Sequence, residues 1–279
     1  MEHGRASRTA LRVALRRAIH QIVDQPCVLC DPIAVPLLGG QFSFEAEREA
    51  HPIAQAFRAF MAARSRLAED QLALAVSKGV AQYVLLGAGL DTFAYRNPFA
   101  RVRVFEVDFP ATQEWKRELL AEAKIPVSAN VTFVPLDFEH RTLAEGLADA
   151  GVDASKPAFF GWLGVVPYLT LEAFRSTART IAQFPAGTGV CFDYGVSPTT
   201  LGPLQRKVFD ALAARVAAAG EPFRLFFTPQ QLENELRGTG FTRIQHHAAD
   251  QLNDLYFAGR GDGLHLPVPG IGMLATAWV

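Results

Sequence analysis

The sequence predicts an α/β fold: a mostly parallel sheet with helices on both faces. Three observations carry this expectation. From residue 83 onward, short apolar runs alternate with stretches of helical period. The first run ends at two glycines, in Tyr83-Val-Leu-Leu-Gly-Ala-Gly-Leu-Asp-Thr92. The second, Val102-Arg-Val-Phe-Glu-Val-Asp108, ends in a carboxylate 19 residues beyond Gly89.

The elements follow in chain order. Residues 7–23 place Leu11, Leu15, Ala18, Ile19 and Ile22 on one stripe, which fits a helix with a buried face. Residues 24–40 are rich in Pro and Gly and predict a loop with a short helical turn. Residues 45–78 predict a long helical region, with a break near His51-Pro52 and a stop at Gly79. Residues 1–80 are thus expected to form a helical lid, and residues 81–279 the main domain. Strands are expected over 83–86, 102–107, 131–134, 158–163 and 189–194. Helices are expected over 111–123, 142–150, 171–183 and 202–219, the second stopping at Gly151 and the last at Gly220. Thr228-Pro229 reads as an N-cap and first-turn proline, opening a helix that ends near Gly238. Residues 241–246 and 273–279 supply the last strands. In such a sheet ligands sit at the carboxyl ends of the strands, near the switch point.

Bulk properties narrow the function classes. Nearly half of the 279 residues are apolar, and the net charge is close to zero with no basic block. Nucleic acid and anionic membranes are therefore not expected partners. No apolar run approaches the roughly 20 residues of a membrane span. Residues 1–17 carry five arginines and no long apolar core, so they read as an amphipathic helix, not a signal peptide. Three cysteines, an odd number, point to a reducing cytoplasm.

The strand tips carry the chemistry. Gly87 and Gly89 allow a sharp turn and close approach of a ligand to the main chain. Asp108 is spaced to accept hydrogen bonds from both ribose hydroxyls; its alternative is a helix cap. Asp137, after Phe133-Val-Pro-Leu, is placed to accept from an adenine amino group; its alternative is a solvated loop acid. The third fingerprint glycine of dinucleotide-binding proteins is absent, because Thr92 stands there, which argues against NAD. Cys27-Val-Leu-Cys30 has redox or metal spacing, but no second such pair exists and Cys191 lies far away; no metal site is expected. His246 and His247 are adjacent on an expected strand, so their rings should point to opposite faces. The 21 phenylalanines are mostly core, although residues 223–227 are clustered enough to line an apolar pocket.

These strings resemble the leucine carboxyl methyltransferase family, and more closely its bacterial branch of S-adenosylmethionine (SAM)-dependent methyltransferases. The resemblance rests on Leu85-Leu-Gly-Ala-Gly-Leu-Asp-Thr-Phe-Ala-Tyr-Arg96, on Val104-Phe-Glu-Val-Asp-Phe-Pro110 with Lys116, and on Val134-Pro-Leu-Asp137. Ser7-Arg-Thr-Ala10, Arg17-Ala18 and Asp31-Pro-Ile-Ala34 extend it upstream. It implies a class I methyltransferase (Rossmann-like) fold, a seven-stranded sheet whose last strand is antiparallel, with SAM as methyl donor. It implies that Gly87, Gly89 and Asp91 belong to the cofactor turn, that Asp108 holds the ribose, and that Asp137 and Phe138 hold the adenine. It assigns Arg64 to the SAM carboxylate, with Arg66 a competing choice. One departure stands out. In Leu163-Gly-Val-Val-Pro-Tyr168, Leu163 occupies the position of a family acid that helps hold the SAM amino group. Gly87-turn carbonyls and Glu106 are the available substitutes.

The expected activity is therefore O-methylation of a small-molecule carboxylate or hydroxyl. A carboxylate is ionised at neutral pH and needs no general base, consistent with the lack of an evident base in the sequence; a hydroxyl would need one. Tyr168 is the candidate contact on the acceptor side. Residues 1–80 and 197–227 should close over the acceptor. The competing expectations are an NAD-dependent oxidoreductase and a SAM-binding protein that has lost turnover.

Overall fold

The computed structural model describes residues 8–39, 52–138, 140–218 and 220–279. The first segment holds helices α1 (Arg8–Val23) and α2 (Ala34–Leu38), and α3 (Pro52–Ser77) follows. The rest is β1 (Gln82–Leu86), β2 (Arg103–Asp108), α4 (Pro110–Glu122), β3 (Val131–Pro135), α5 (Leu143–Asp149), β4 (Phe159–Trp162), α6 (Leu171–Ala182) and β5 (Gly189–Val196). It ends with α7 (Pro203–Ala217), β6 (Phe226–Phe227), α8 (Pro229–Thr239), β7 (Arg243–His247), α9 (Ala249–Tyr256) and β8 (Gly272–Trp278). Residues 45–51 of the expected long helix, with the break at His51, lie outside the described residues.

Seven strands lie in the order β3-β2-β1-β4-β5-β8-β7, and β6 pairs with the end of β5 as a short eighth. The ladders from β3 to β5 are parallel, and β8 runs antiparallel to both β5 and β7. The sheet is thus the expected one with β6 added. Two segments were not anticipated. β6 is only two residues long, too short to show a period. α9 occupies a stretch between the last strands that carried no stop or start signal in the sequence reading.

The central strands are buried on both faces, which explains their continuous apolar runs: every residue of β1 and of β4 is buried. One face is covered by α5, α6 and α8, through Leu147, Phe174, Ile181 and Leu232. The other is covered by α3 and α9, through Ala63, Leu67, Leu72 and Leu252. α3, included in the expected lid, lies packed on this face, whereas α1 joins α2 and α4 in a smaller core beside the strand ends. Local chemistry fixes the helix ends. Thr228 caps α8 in a reciprocal pair with Gln231, and Pro229 fills its first turn. α8 runs on past the anticipated Gly238 to stop at Gly240, whose φ of 119° suits glycine. Among the described residues, no helix is long and apolar enough to cross a membrane.

Candidate functional site

The chain goes from β1 to β2 and β3 on one side, then crosses back to β4 on the other, so β1 and β4 part at their carboxyl ends. A cavity of about 1350 Å³ lies there. Sequence-predicted Arg64, Gly87, Gly89, Asp91, Asp108, Asp137, Phe138 and Tyr168 all line it.

The elbow after β1 is held from below and above. Gly87 and Ala88 donate their N–H groups to the Val107 carbonyl at 2.9 and 3.1 Å. Gly87 and Gly89 have φ of 68° and 47°, in the left-handed region. A Cβ on Gly87 would lie 2.5 Å from Val165 Cγ2, and one on Gly89 would lie 3.2 Å from Ala10 Cβ on α1. Asp108 binds the elbow directly. Its Oδ2 accepts the Gly89 N–H at 2.5 Å and its Oδ1 accepts the Phe109 N–H at 2.7 Å. Burial pushes the Asp108 carboxyl up, and these two N–H groups offset part of that rise. Each oxygen keeps lone-pair capacity for a further donor.

Asp91 is already partnered. Its Oδ2 accepts from Arg17 Nη1 at 2.5 Å and its Oδ1 from the Phe93 N–H at 2.8 Å. Burial alone would raise this carboxyl, but Arg17, Arg96 and Lys116 outweigh it and hold the group at about 2. Arg17 also reaches Asp31 at 2.7 Å and the Thr92 hydroxyl at 2.9 Å, and Thr92 donates to Asp31 at 2.6 Å. Thr92, standing where a dinucleotide site would have glycine, thus carries a buried hydroxyl that joins α1 to the elbow. The roles of Arg17 and Asp31 have no local signature, because the network forms only where α1 meets the elbow after β1.

On the far side of Asp108, Asp137 follows β3. Its carbonyl accepts from His140 and Arg141 N–H groups, both at 3.0 Å. Phe138 is 60% exposed, a ring on the rim of the cavity.

At the other end stand Arg64 and an acid the sequence reading missed. Arg64 Nη1 donates to Asp193 Oδ2 at 3.2 Å, and the Gly164 N–H donates to Asp193 Oδ1 at 2.5 Å. Both side chains are buried. Arg66, the competing choice, is half exposed, pairs with Asp70 at 2.8 Å and does not face the cavity. Asp193 was detectable in principle as a lone carboxylate inside the apolar run Val190-Cys-Phe-Asp-Tyr194. Leu163 lines the cavity and packs toward the core under α3. Glu106 is not a substitute acid. It is buried beneath the sheet, where Lys116 donates to it at 2.8 Å and Tyr95 at 2.8 Å, and it does not reach the cavity.

Part of the remaining wall is aromatic. Tyr168 and Phe223 have ring centroids 5.4 Å apart, and Phe209 meets Phe226 at 5.3 Å. The expected cluster over 223–227 divides: Phe223 and Phe226 face the cavity, while Phe227 turns into the core against Phe174 at 5.2 Å. Burial, with Glu221 and Asp193 nearby, pushes the Tyr168 phenol up to about 12, so it is a donor and not a base at neutral pH. Thr9 on α1 donates to Glu221, which bridges the two sides of the cavity mouth.

The other candidate residues do not line the cavity. Cys27, Cys30 and Cys191 are free thiols. His246 meets the Tyr194 hydroxyl and His247 the Thr276 hydroxyl, so the adjacent rings have separate partners. Among the described residues, no group of three His, Cys, Asp or Glu side chains is placed to hold a metal ion.

Comparison with known proteins agrees with this architecture. The family model described as "Leucine carboxyl methyltransferase" matches residues 10–182. The "Putative S-adenosyl-L-methionine-dependent methyltransferase YktD" of Bacillus subtilis is 31% identical, over 95% of each chain. A crystal structure described as a putative methyltransferase from Thermobifida fusca superposes with a TM-score of 0.60 at 18% identity, covering 99% of this chain and 96% of that one. A DUF574 family protein from Streptomyces avermitilis gives 0.58 at 17% identity, covering 94% and 96%. At such identities the two structures speak for the fold alone. The matched span and the Bacillus relative place this chain in the leucine carboxyl methyltransferase family.

Proposed function

We propose that the chain, a SAM-dependent methyltransferase by family, methylates an oxygen of a small-molecule acceptor, a carboxylate in preference to a hydroxyl. One observation carries the reading: Asp108 is bonded to the Gly89 N–H in the same cavity that holds Asp137 and Arg64. The fit to SAM rests on the chain's own features. A glycine elbow leaves room where a Cβ at Gly87 would collide with Val165, and Arg64 Nε is buried with no hydrogen-bond partner among the described residues.

In this reading Asp108 accepts from the ribose hydroxyls, Asp137 and the backbone of Phe138 read the adenine edge, and Gly87 and Gly89 pack against the methionine chain. Asp91 acts through Arg17, fixing the turn. Arg64 takes the carboxylate. Bound there, SAM supplies an electrophilic methyl on a sulfonium. The protein's own contribution is alignment and exclusion of water, for which proximity provides on the order of 7–11 kcal/mol. The cavity's aromatic wall excludes water, and the Tyr168 hydroxyl, protonated at neutral pH, donates to an acceptor oxygen and cannot deprotonate one. That favours an acceptor that arrives already ionised. α1 and the described part of residues 197–227 are the segments that would enclose it, with Thr9–Glu221 as their link.

Thermal-shift titration with SAM, S-adenosylhomocysteine (SAH) and NAD tests the cofactor. SAM and SAH should stabilise the protein and NAD should not; stabilisation by NAD alone would end the reading. Release of SAH over a panel of carboxylic acids and phenols tests the acceptor, with turnover expected among the acids. Leu163 favours one second reading, binding without turnover. Tight SAH binding with no product from either class of acceptor would support it.

A further inference from the structure

Asp193 is the buried acid of the cavity for which the reading above has no use. It lies within β5, past the end of β4 and one residue beyond the point where Trp162 of β4 is in register with Phe192, so it stands beside Leu163. It is 6% exposed, as is its partner Arg64. Burying such a pair is costly unless both charges are fully bonded, and here the bonding is incomplete. Arg64 spends Nη1 on Asp193 and leaves Nε buried with no hydrogen-bond partner among the described residues. Asp193 takes one donor on each oxygen, Arg64 on Oδ2 and the Gly164 N–H on Oδ1, although each oxygen can accept two. The pair therefore sets a guanidinium beside a carboxylate that has spare lone pairs. Both border the same cavity.

That pattern is complementary to a zwitterion carrying an ammonium and a carboxylate on one carbon. We infer that Arg64 and Asp193 form an α-amino-acid receptor, with Asp193 supplying the ammonium contact that Leu163 cannot. The inference rests on the SAM reading above, and position supports it. Asp108 on β2 and Asp193 on β5 are separated by three strand spacings across β1 and β4, about 14 Å at the usual spacing. A ligand with its ribose on Asp108 would cross the glycine elbow and place its amino-acid end over β4 and β5. Gly164, with φ of 72°, keeps this end open: a Cβ there would lie 3.1 Å from both terminal nitrogens of Arg64.

Calorimetric titration with three adenosine thioethers tests this. SAH has the full amino-acid tail, its desamino analogue keeps only the carboxylate, and 5′-methylthioadenosine has neither. The wild-type protein should bind the desamino analogue on the order of 10- to 100-fold more weakly than SAH, the usual range for one charged hydrogen-bonding contact. Asp193→Asn should weaken SAH by a similar factor, leave 5′-methylthioadenosine within about twofold, and so erase most of the preference for SAH over the desamino analogue. Equal weakening of all three ligands by Asp193→Asn would overturn the inference, since the residue would then only shape the cavity. Equal affinity of the wild type for SAH and its desamino analogue would also overturn it, and needs no variant to fold. Failure of the wild type to bind any adenosine thioether would remove the SAM reading and this inference together.

Discussion

At the β2 end of the cleft the wall is polar and fixed in advance, whereas at the β5–β6 end it is aromatic. The first end has Asp108 bonded to two backbone N–H groups and an elbow tied to α1 through Arg17 and Asp91. The second has Tyr168, Phe209, Phe223 and Phe226 in one ring cluster, with edge-to-face, tilted and stacked pairs. Directional bonds of known geometry suit one fixed ligand. Aromatic surface gives apolar area with few directional demands, so it sets shape and leaves the chemistry of the partner wider. On this comparison a change at the first end should act on stability or cofactor affinity, and a change in the aromatic wall of the second on the acceptor, with Arg64 and Asp193 between them belonging to the cofactor.

The largest effect is expected at Arg17. Arg17→Ala removes the guanidinium that Asp31 and Asp91 share, leaving Asp31 with Arg96 at 3.4 Å alone. Removing one partner of a buried pair costs about 3–5 kcal/mol, which urea unfolding would measure; a loss below about 1 kcal/mol would show that the elbow does not depend on α1. Next is Asp108→Ala, which should weaken SAH by about 2–3 kcal/mol in calorimetry, because the ribose hydroxyls lose a charged acceptor. Unchanged affinity would remove Asp108 from the site.

Acid should act on the same end. Asp91 has its carboxyl held at about 2, against an ordinary value of 3.8. Above the ordinary value both the folded and the unfolded chain are ionised there, and the stabilisation is complete. As pH falls from about 4 toward 2 the unfolded chain takes the proton first, and about 2 kcal/mol is lost. Denaturation followed over that window should show the loss, and Arg17→Ala should reduce Asp91's share of it, because Arg17 is the largest of the cations that hold the carboxyl down. The smallest effect belongs to the aromatic end. Phe223→Ala should raise the acceptor KM by about fivefold, near 1 kcal/mol for a lost aromatic contact, with the SAH Kd unchanged. A change in SAH affinity instead would mean that the two ends are not separate.

The polar end was largely legible in the sequence because its features are local. An apolar run that ends at Gly87 and Gly89, and a second that ends in Asp108, declare strand tips within 20 residues of each other. The rest depended on which strands become neighbours. Asp193 takes its meaning from Gly164 on β4 and Arg64 on α3, and no spacing in the chain discloses that meeting. The Phe223–Phe227 cluster could be seen but not divided, since only the pairing of β6 with β5 decides which rings face the cavity. Glu106 looked available from its strand position, yet Lys116 one helix later holds it beneath the sheet.

The most direct measurement is a crystal structure of the SAH complex. The account predicts the ribose hydroxyls within hydrogen-bonding distance of the Asp108 carboxylate, the adenine beside Asp137 and Phe138, and the amino-acid tail toward Arg64. Density for the adenosine at the β5 end, or outside this cleft, would contradict it.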